Sequence, residues 1–195
     1  MARASKRDLL LDTAERLFTQ YGFTATGINL ITQEAGIASM TLYNNFSNKD
    51  DLILAVIARR HQQIMDELEA ALNGIGDAPS ACILAVFDYM ATYARDPALS
   101  HPSDGSFTGC IFQHAASEFR AFSHPIHQAA AEHQKQLLDL FEEKAEALGH
   151  PSPEALAQTL LLLVNGAFAS AQITGDLGLF DRARHAAETL IGPSH

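Results

Sequence analysis

Tryptophan is absent from this 195-residue chain, and cysteine occurs only twice, as Cys82 and Cys110. Two thiols cannot build a disulfide scaffold, so a reducing interior with free cysteines is the expectation. Twelve glycines and seven prolines are too few for collagen-like or low-complexity sequence. Long apolar runs are also missing. The nearest, Leu160–Val164 between Gln158 and Asn165, falls far short of the roughly 18–20 residues that cross a bilayer. The basic start with Arg3, Lys6 and Arg7 leads into an amphipathic segment rather than a continuous apolar core, which argues against a signal peptide. Alternating strand patterns are almost absent. These absences predict a soluble, cytoplasmic, helical protein with no membrane part.

What is present supports a globular fold. Hydrophobic residues make up 47% of the chain and charged residues 18%, enough for a real core in one large domain or two small ones. The formal net charge of -10 argues, taken alone, against a polyanionic partner, but the charge is unevenly spread. Residues 1–60 hold seven basic and six acidic side chains, while the remainder holds six basic and seventeen acidic. One end of the chain can approach a polyanion and the other cannot.

Helical periodicity dominates. Leu10, Ala14, Leu17, Phe18 and Tyr21 fall at i, i+4, i+7, i+8 and i+11, the stripe of an amphipathic helix, ended by Gly22. Short helices are predicted from Ile28 to Ala35, closed by Gly36, and from Ser39 to Asn45. Ser47-Asn48-Lys49-Asp50 reads as a capping box opening a long helix to about Asn73. Further helices are expected from Pro79 to near Asp96, from near Cys110 to before His124, over Ile126–Leu148, over Glu154–Ile173 with Ser152 as its cap, and over Leu177–Ile191. Residues 97–108 read as a loop. The prediction is an all-α protein of about nine helices.

Three short helices with a sharp glycine turn between the second and third match a helix-turn-helix. Leu10–Tyr21 supplies one side of a small bundle that Ile28, Ile31, Ala35, Ile37 and Leu42 have the spacing to fill. The third helix then keeps Ser39, Met40, Thr41, Tyr43 and Asn44 outward, a set of hydroxyls, an amide and an apolar tip suited to phosphate and base-edge contacts.

The strings Tyr21-Gly22-Phe23-Thr24-Ala25-Thr26-Gly27-Ile28, Ile31-Thr32-Gln33-Glu34-Ala35-Gly36-Ile37 and Thr41-Leu42-Tyr43-Asn44-Asn45-Phe46-Ser47-Asn48-Lys49-Asp50-Asp51-Leu52 together resemble the DNA-binding domain of the TetR family of transcriptional regulators. The resemblance covers roughly residues 8–57. It implies a dimeric repressor with a helix-turn-helix domain over residues 1–48 and a helical effector-binding and dimerisation domain over 49–195. It also implies phosphate contacts from Tyr43 and Lys49, and a backbone grip by Thr26 at the start of the second helix. Ser39, Met40, Thr41 and Asn44 would face the groove, and Arg3, Lys6 and Arg7 would form an arm. Gly27, Ala38 and Met40 depart from the family's usual hydroxyl, serine and glycine, which leaves the operator sequence undetermined.

The second half is less explicit. Phe87, Met90, Tyr93, Phe107, Cys110, Phe112, His114 and Phe119 are the candidates for lining a small-molecule pocket, as the resemblance implies, although aromatic and methionine residues at helical spacing also make ordinary core. Cys110, beside a helix start, is either a buried inert thiol or a redox- or electrophile-sensing one. Nine histidines, including His124 and His127 at i and i+3, raise a metal or helical-enzyme reading, but no zinc-ligand spacing, catalytic triad order or phosphate-binding loop accompanies them. No cofactor or metal is expected. Glu154–Ile173 is apolar around most of its circumference, and with Leu177–Ile191 it is expected to form a homodimer interface that places two reading helices on a pseudo-palindromic DNA operator.

Overall fold

A computed structural model describes residues 5–76, 78–96 and 106–192. Among them are nine helices and no strand: α1 (Lys6–Tyr21), α2 (Ile28–Glu34), α3 (Ser39–Tyr43), α4 (Lys49–Asn73), α5 (Pro79–Arg95), α6 (Ile111–Glu118), α7 (Pro125–Ala147), α8 (Pro153–Thr174) and α9 (Gly178–Ile191). The chain forms two compact units. One combines residues up to Gln62 with Ile111–Ala131; the other combines Gln63–Cys110 with the chain from Glu132 onward. The division between these units falls inside α4 and α7, and α6 belongs with the amino-terminal helices.

In the first unit, α1 starts from a reciprocal cap. The Ser5 hydroxyl accepts from the Asp8 amide at 3.1 Å, and the Asp8 carboxylate accepts from the Ser5 amide at 3.3 Å. Leu10, Ala14, Leu17 and Phe18 are buried as the stripe predicts, whereas Tyr21 is half exposed. α1, α2 and α3 touch one another pairwise. Helix α2 closes with the Gly36 amide donating to the Gln33 carbonyl and the Ile37 amide to Thr32. Gly36 has φ of +63°, which a side chain would strain, so this turn can reverse the chain tightly.

Helix α3 has five residues, far below the length that is stable alone. Its anchor is Leu42, fully buried, whose burial contributes about 2 kcal/mol. Helix α4 opens one residue later than the sequence suggested. Asn48, not Ser47, is the cap, its side-chain oxygen accepting from the Asp51 amide at 2.8 Å. Asparagine caps as well as serine does, and here the register favours it.

In the second unit, α9 packs on both α8 and α5. Ser152 occupies the cap position of α8 as expected, but its hydroxyl makes no capping bond. By length and composition α8 is apolar enough to cross a membrane, which a count of uninterrupted apolar runs overlooks because Gln158, Thr159 and Asn165 divide it. Leu156, Leu160, Val164, Ala167, Phe168 and Ala171 form its buried stripe.

Candidate nucleic-acid interface

Because Leu42 points inward, the rest of α3 faces solvent. Ser39, Met40, Tyr43 and Asn44 are exposed and Thr41 is half-buried. Met40 shows 71% of its surface and Tyr43 52%, high values for residues of those types. Asn44 sits just past the helix, which ends at Tyr43 rather than Asn45. The Asn45 side chain is held locally, its amide donating to the Thr41 carbonyl at 2.7 Å. The face is therefore a short, rigid row of one thioether, one phenol, one amide and a hydroxyl.

Thr26 leaves this set. It is completely buried, and its hydroxyl is directed at the carbonyls of Gly22 (2.7 Å) and Leu17 (3.2 Å). Its proton closes the turn after α1 instead of being offered to a ligand. α2 itself begins after Gly27, with no side-chain cap. Lys49 is half-buried at the start of α4, and its Nζ donates to the Thr24 carbonyl at 3.1 Å. Burial holds its ammonium below the ordinary lysine value, opposed in part by the carboxylates of Glu118 and Asp50. Lys6 is exposed at the first turn of α1, and Arg7 lies over the Phe46 ring with its guanidinium carbon 5.4 Å from the centroid. Arg3 lies outside the described residues.

The other arginines of α1 and α4 are paired with carboxylates. Arg16 pairs with Glu34 at 2.9 Å. Arg59 pairs with Asp12 at 2.7 Å and Glu15 at 2.8 Å, and Arg60 donates its Nε to Glu15 at 2.6 Å. Glu15, nearly buried on α1, thus serves two arginines of α4 and fixes the α1–α4 crossing, a geometry in which losing one partner strands a charge. Among the described residues of α1–α4, the lysines and arginines outside ion pairs are Lys6, Arg7 and Lys49.

An unforeseen residue reaches the turn between α1 and α2. Glu118, the last residue of α6, accepts from the Phe23 amide at 2.9 Å and the Thr24 amide at 2.6 Å. Burial alone would raise its carboxyl. The Thr24 hydroxyl, the Thr24 and Phe23 amides, and His114 outweigh that and hold it below the usual glutamate value. Phe119 follows, with its ring 6.1 Å from Phe23 and 4.8 Å from His124.

The eight pocket candidates divide between the units. Phe112, His114 and Phe119 lie in the first; Phe87, Met90, Tyr93, Phe107 and Cys110 lie in the second. Within the second, Phe87 packs on Phe141 at 5.8 Å, while Tyr93 and Phe107 pack on Phe168 at 6.1 and 6.0 Å. Phe180 closes the group at 5.9 Å from Phe107. Phe141, Phe168 and Phe180 were not singled out from sequence, since helical spacing does not distinguish core from lining. Cys110 is half-buried immediately before α6. Between α7 and α8, Gln134 and Asn165 exchange amide hydrogen bonds of 3.0 and 2.8 Å. Among the described residues no three His, Cys, Asp or Glu side chains converge on a metal-sized site.

Comparison with known proteins fits this geometry. The family described as bacterial regulatory proteins, tetR family, matches residues 10–56, and the tetracyclin repressor-like C-terminal domain matches residues 79–187. A crystallised TetR-family transcriptional regulator from Streptomyces coelicolor is 31% identical, with 95% of this chain and 94% of that one covered and a TM-score of 0.86. The chain belongs to the TetR family. Among curated HTH-type relatives, the transcriptional activator FasR of Mycolicibacterium smegmatis is 31% identical over 93 residues, covering 46% of this chain and 42% of its own length. The transcriptional repressor KstR2 of the same species is 36% identical over 77 residues, covering 36% and 38% respectively. The chain therefore spans less than half the length of these curated relatives.

Proposed function

We propose that this TetR-family chain is a DNA-binding transcriptional repressor, released from a pseudo-palindromic operator in the cytoplasm by a small-molecule effector. The observation that carries the reading is the face of α3: Leu42 pins the helix inward while Ser39, Met40, Tyr43 and Asn44 stand in solvent. A row of that composition, in the same unit as Lys6, Arg7 and Lys49, suits base edges flanked by phosphates. Tyr43 and Lys49 are assigned to phosphate, and Ser39, Met40, Thr41 and Asn44 to the groove.

The dimer is assigned to α8 and α9. Ala155, Thr159, Leu162, Gly166, Ala169 and Ile173 are exposed along α8 at alternating spacings of four and three, the seam by which helices pack in pairs. Leu162 shows 69% and Ile173 84% of its surface, and a Cβ at Gly166 would meet nothing within 4 Å. Such a stripe is costly in water and is covered by a second copy about a two-fold axis. The effector is assigned to the aromatic region of Phe87, Met90, Tyr93 and Phe107, which suits an apolar molecule. It acts only through its different affinity for DNA-competent and DNA-incompetent states.

Selection of duplexes from a random library by the full chain tests this. A two-fold symmetric consensus is expected, with Tyr43→Ala and Lys49→Ala weakening its binding and leaving dimerisation intact. Failure to enrich any duplex, or wild-type affinity in both variants, refutes the reading.

A further inference from the structure

We propose that Glu118 is a positioning residue for the DNA-reading head: its carboxylate fixes the Phe23–Thr24 backbone, and through it the seat of Lys49. The inference rests on the DNA-binding reading above and concerns a residue remote in sequence from every helix of the head.

The turn from Gly22 to Gly27 must hold α1 and α2 at a fixed angle without regular secondary structure. Two of its amides are taken by a single side chain, one per carboxylate oxygen: Phe23 to Oε1 at 2.9 Å and Thr24 to Oε2 at 2.6 Å. Two charge-assisted bonds to adjacent amides define both the position and the orientation of the peptide. The carbonyl of Thr24 then accepts from Lys49 Nζ at 3.1 Å. One residue, Thr24, is thus bracketed by a carboxylate at its amide and an ammonium at its carbonyl.

The surroundings are shaped for this approach. Gly22 has φ of +85°, which favours glycine, and a Cβ there would lie 2.9 Å from Glu118 Oε1, so a side chain at this position would displace the carboxylate. Phe119 places its ring against Phe23 and His124, and His124 lies 3.8 Å from Asp50 in the first turn of α4. The end of α6 therefore meets the head where Lys49 starts α4.

The sign of the effect separates this role from a simpler one. A carboxylate acting only as negative charge near DNA would weaken binding, and its removal would tighten it. A carboxylate that seats Lys49 strengthens binding, and its removal loosens it. The test uses the full chain, with Glu118→Gln, Glu118→Ala, Lys49→Ala and Glu118→Gln combined with Lys49→Ala. Affinities are measured on a duplex selected by the wild-type chain, beside amide hydrogen exchange at Phe23 and Thr24. Glu118→Gln and Glu118→Ala are expected to weaken binding at least fivefold and to speed exchange at both amides, with dimerisation preserved. On the Lys49→Ala background, Glu118→Gln should change affinity less than twofold. Unchanged or tighter binding in both Glu118 variants overturns the proposal, as does an equal loss with and without Lys49. If the wild-type chain selects no duplex, the DNA reading itself fails, and the exchange data still report separately whether Glu118 holds the turn.

Discussion

Salt dependence gives the sharpest check on how the head meets DNA. Each protonated side chain that neutralises a phosphate releases counterions, so log K falls with log salt by about 0.9 per phosphate. In the described part of the head, Arg16, Arg59 and Arg60 are paired with Glu34, Asp12 and Glu15, leaving Lys6, Arg7 and Lys49. Two heads then neutralise about six phosphates, for a slope near −5.4 and a loss of about 2,000-fold between 50 and 200 mM salt. Arg3 would add up to two more. Replacing Lys49 with alanine removes two, bringing the slope to about −3.6 and the loss over the same range to about 150-fold. Replacing Arg16 with glutamine should leave the slope where it was, since Glu34 already holds that guanidinium. Fluorescence anisotropy on a library-selected duplex, titrated across that range, measures all three. A wild-type slope shallower than −2, or an Arg16 variant that loses as much slope as the Lys49 variant, refutes the accounting.

Three further outcomes follow from the same geometry. Leu162→Glu puts a charge on the exposed seam of α8 and should weaken dimerisation by about 3 kcal/mol or more, seen as monomer in sedimentation with helical content unchanged; a dimer of normal strength would mean the seam is not the interface. Ala38 caps α3 without a side-chain bond, so Ala38→Ser should stabilise the chain by about 0.5–1 kcal/mol, read as a higher urea midpoint; no gain would show that the cap geometry is not used. The Glu118 carboxyl is held below its ordinary value in the folded chain, so its ionised form contributes stability that is present above the unfolded glutamate value of about 4.3 and lost as pH falls through the folded value. Melting temperature followed from pH 6 to pH 3 should therefore drop more steeply for the wild type than for Glu118→Gln, and parallel curves would contradict the assignment.

Local physics was legible along the chain. The apolar stripe of α1, the glycine that turns α2 into α3 and the inward anchor Leu42 all depend on residues within a few positions of one another, where period and backbone freedom leave little choice. The register of the α4 cap was not, because Ser47 and Asn48 are both good caps and only the final backbone selects Asn48. Tyr21 has the right spacing for the stripe, but the bundle ends before it and leaves it half exposed. Thr26 looked like a free hydroxyl until folding placed two carbonyls around it.

The amino-acid order alone therefore determined an all-helical fold with a helix-turn-helix near its start, since helix periodicity and turn chemistry are properties of neighbours. Only the tertiary structure decided which charges remain available and what steadies them. Glu15 takes up Arg59 and Arg60 across 44 and 45 positions, and Glu118 reaches Phe23 across 95. No local pattern encodes such pairings; they exist because packing brings a carboxylate to donors that water would otherwise have satisfied.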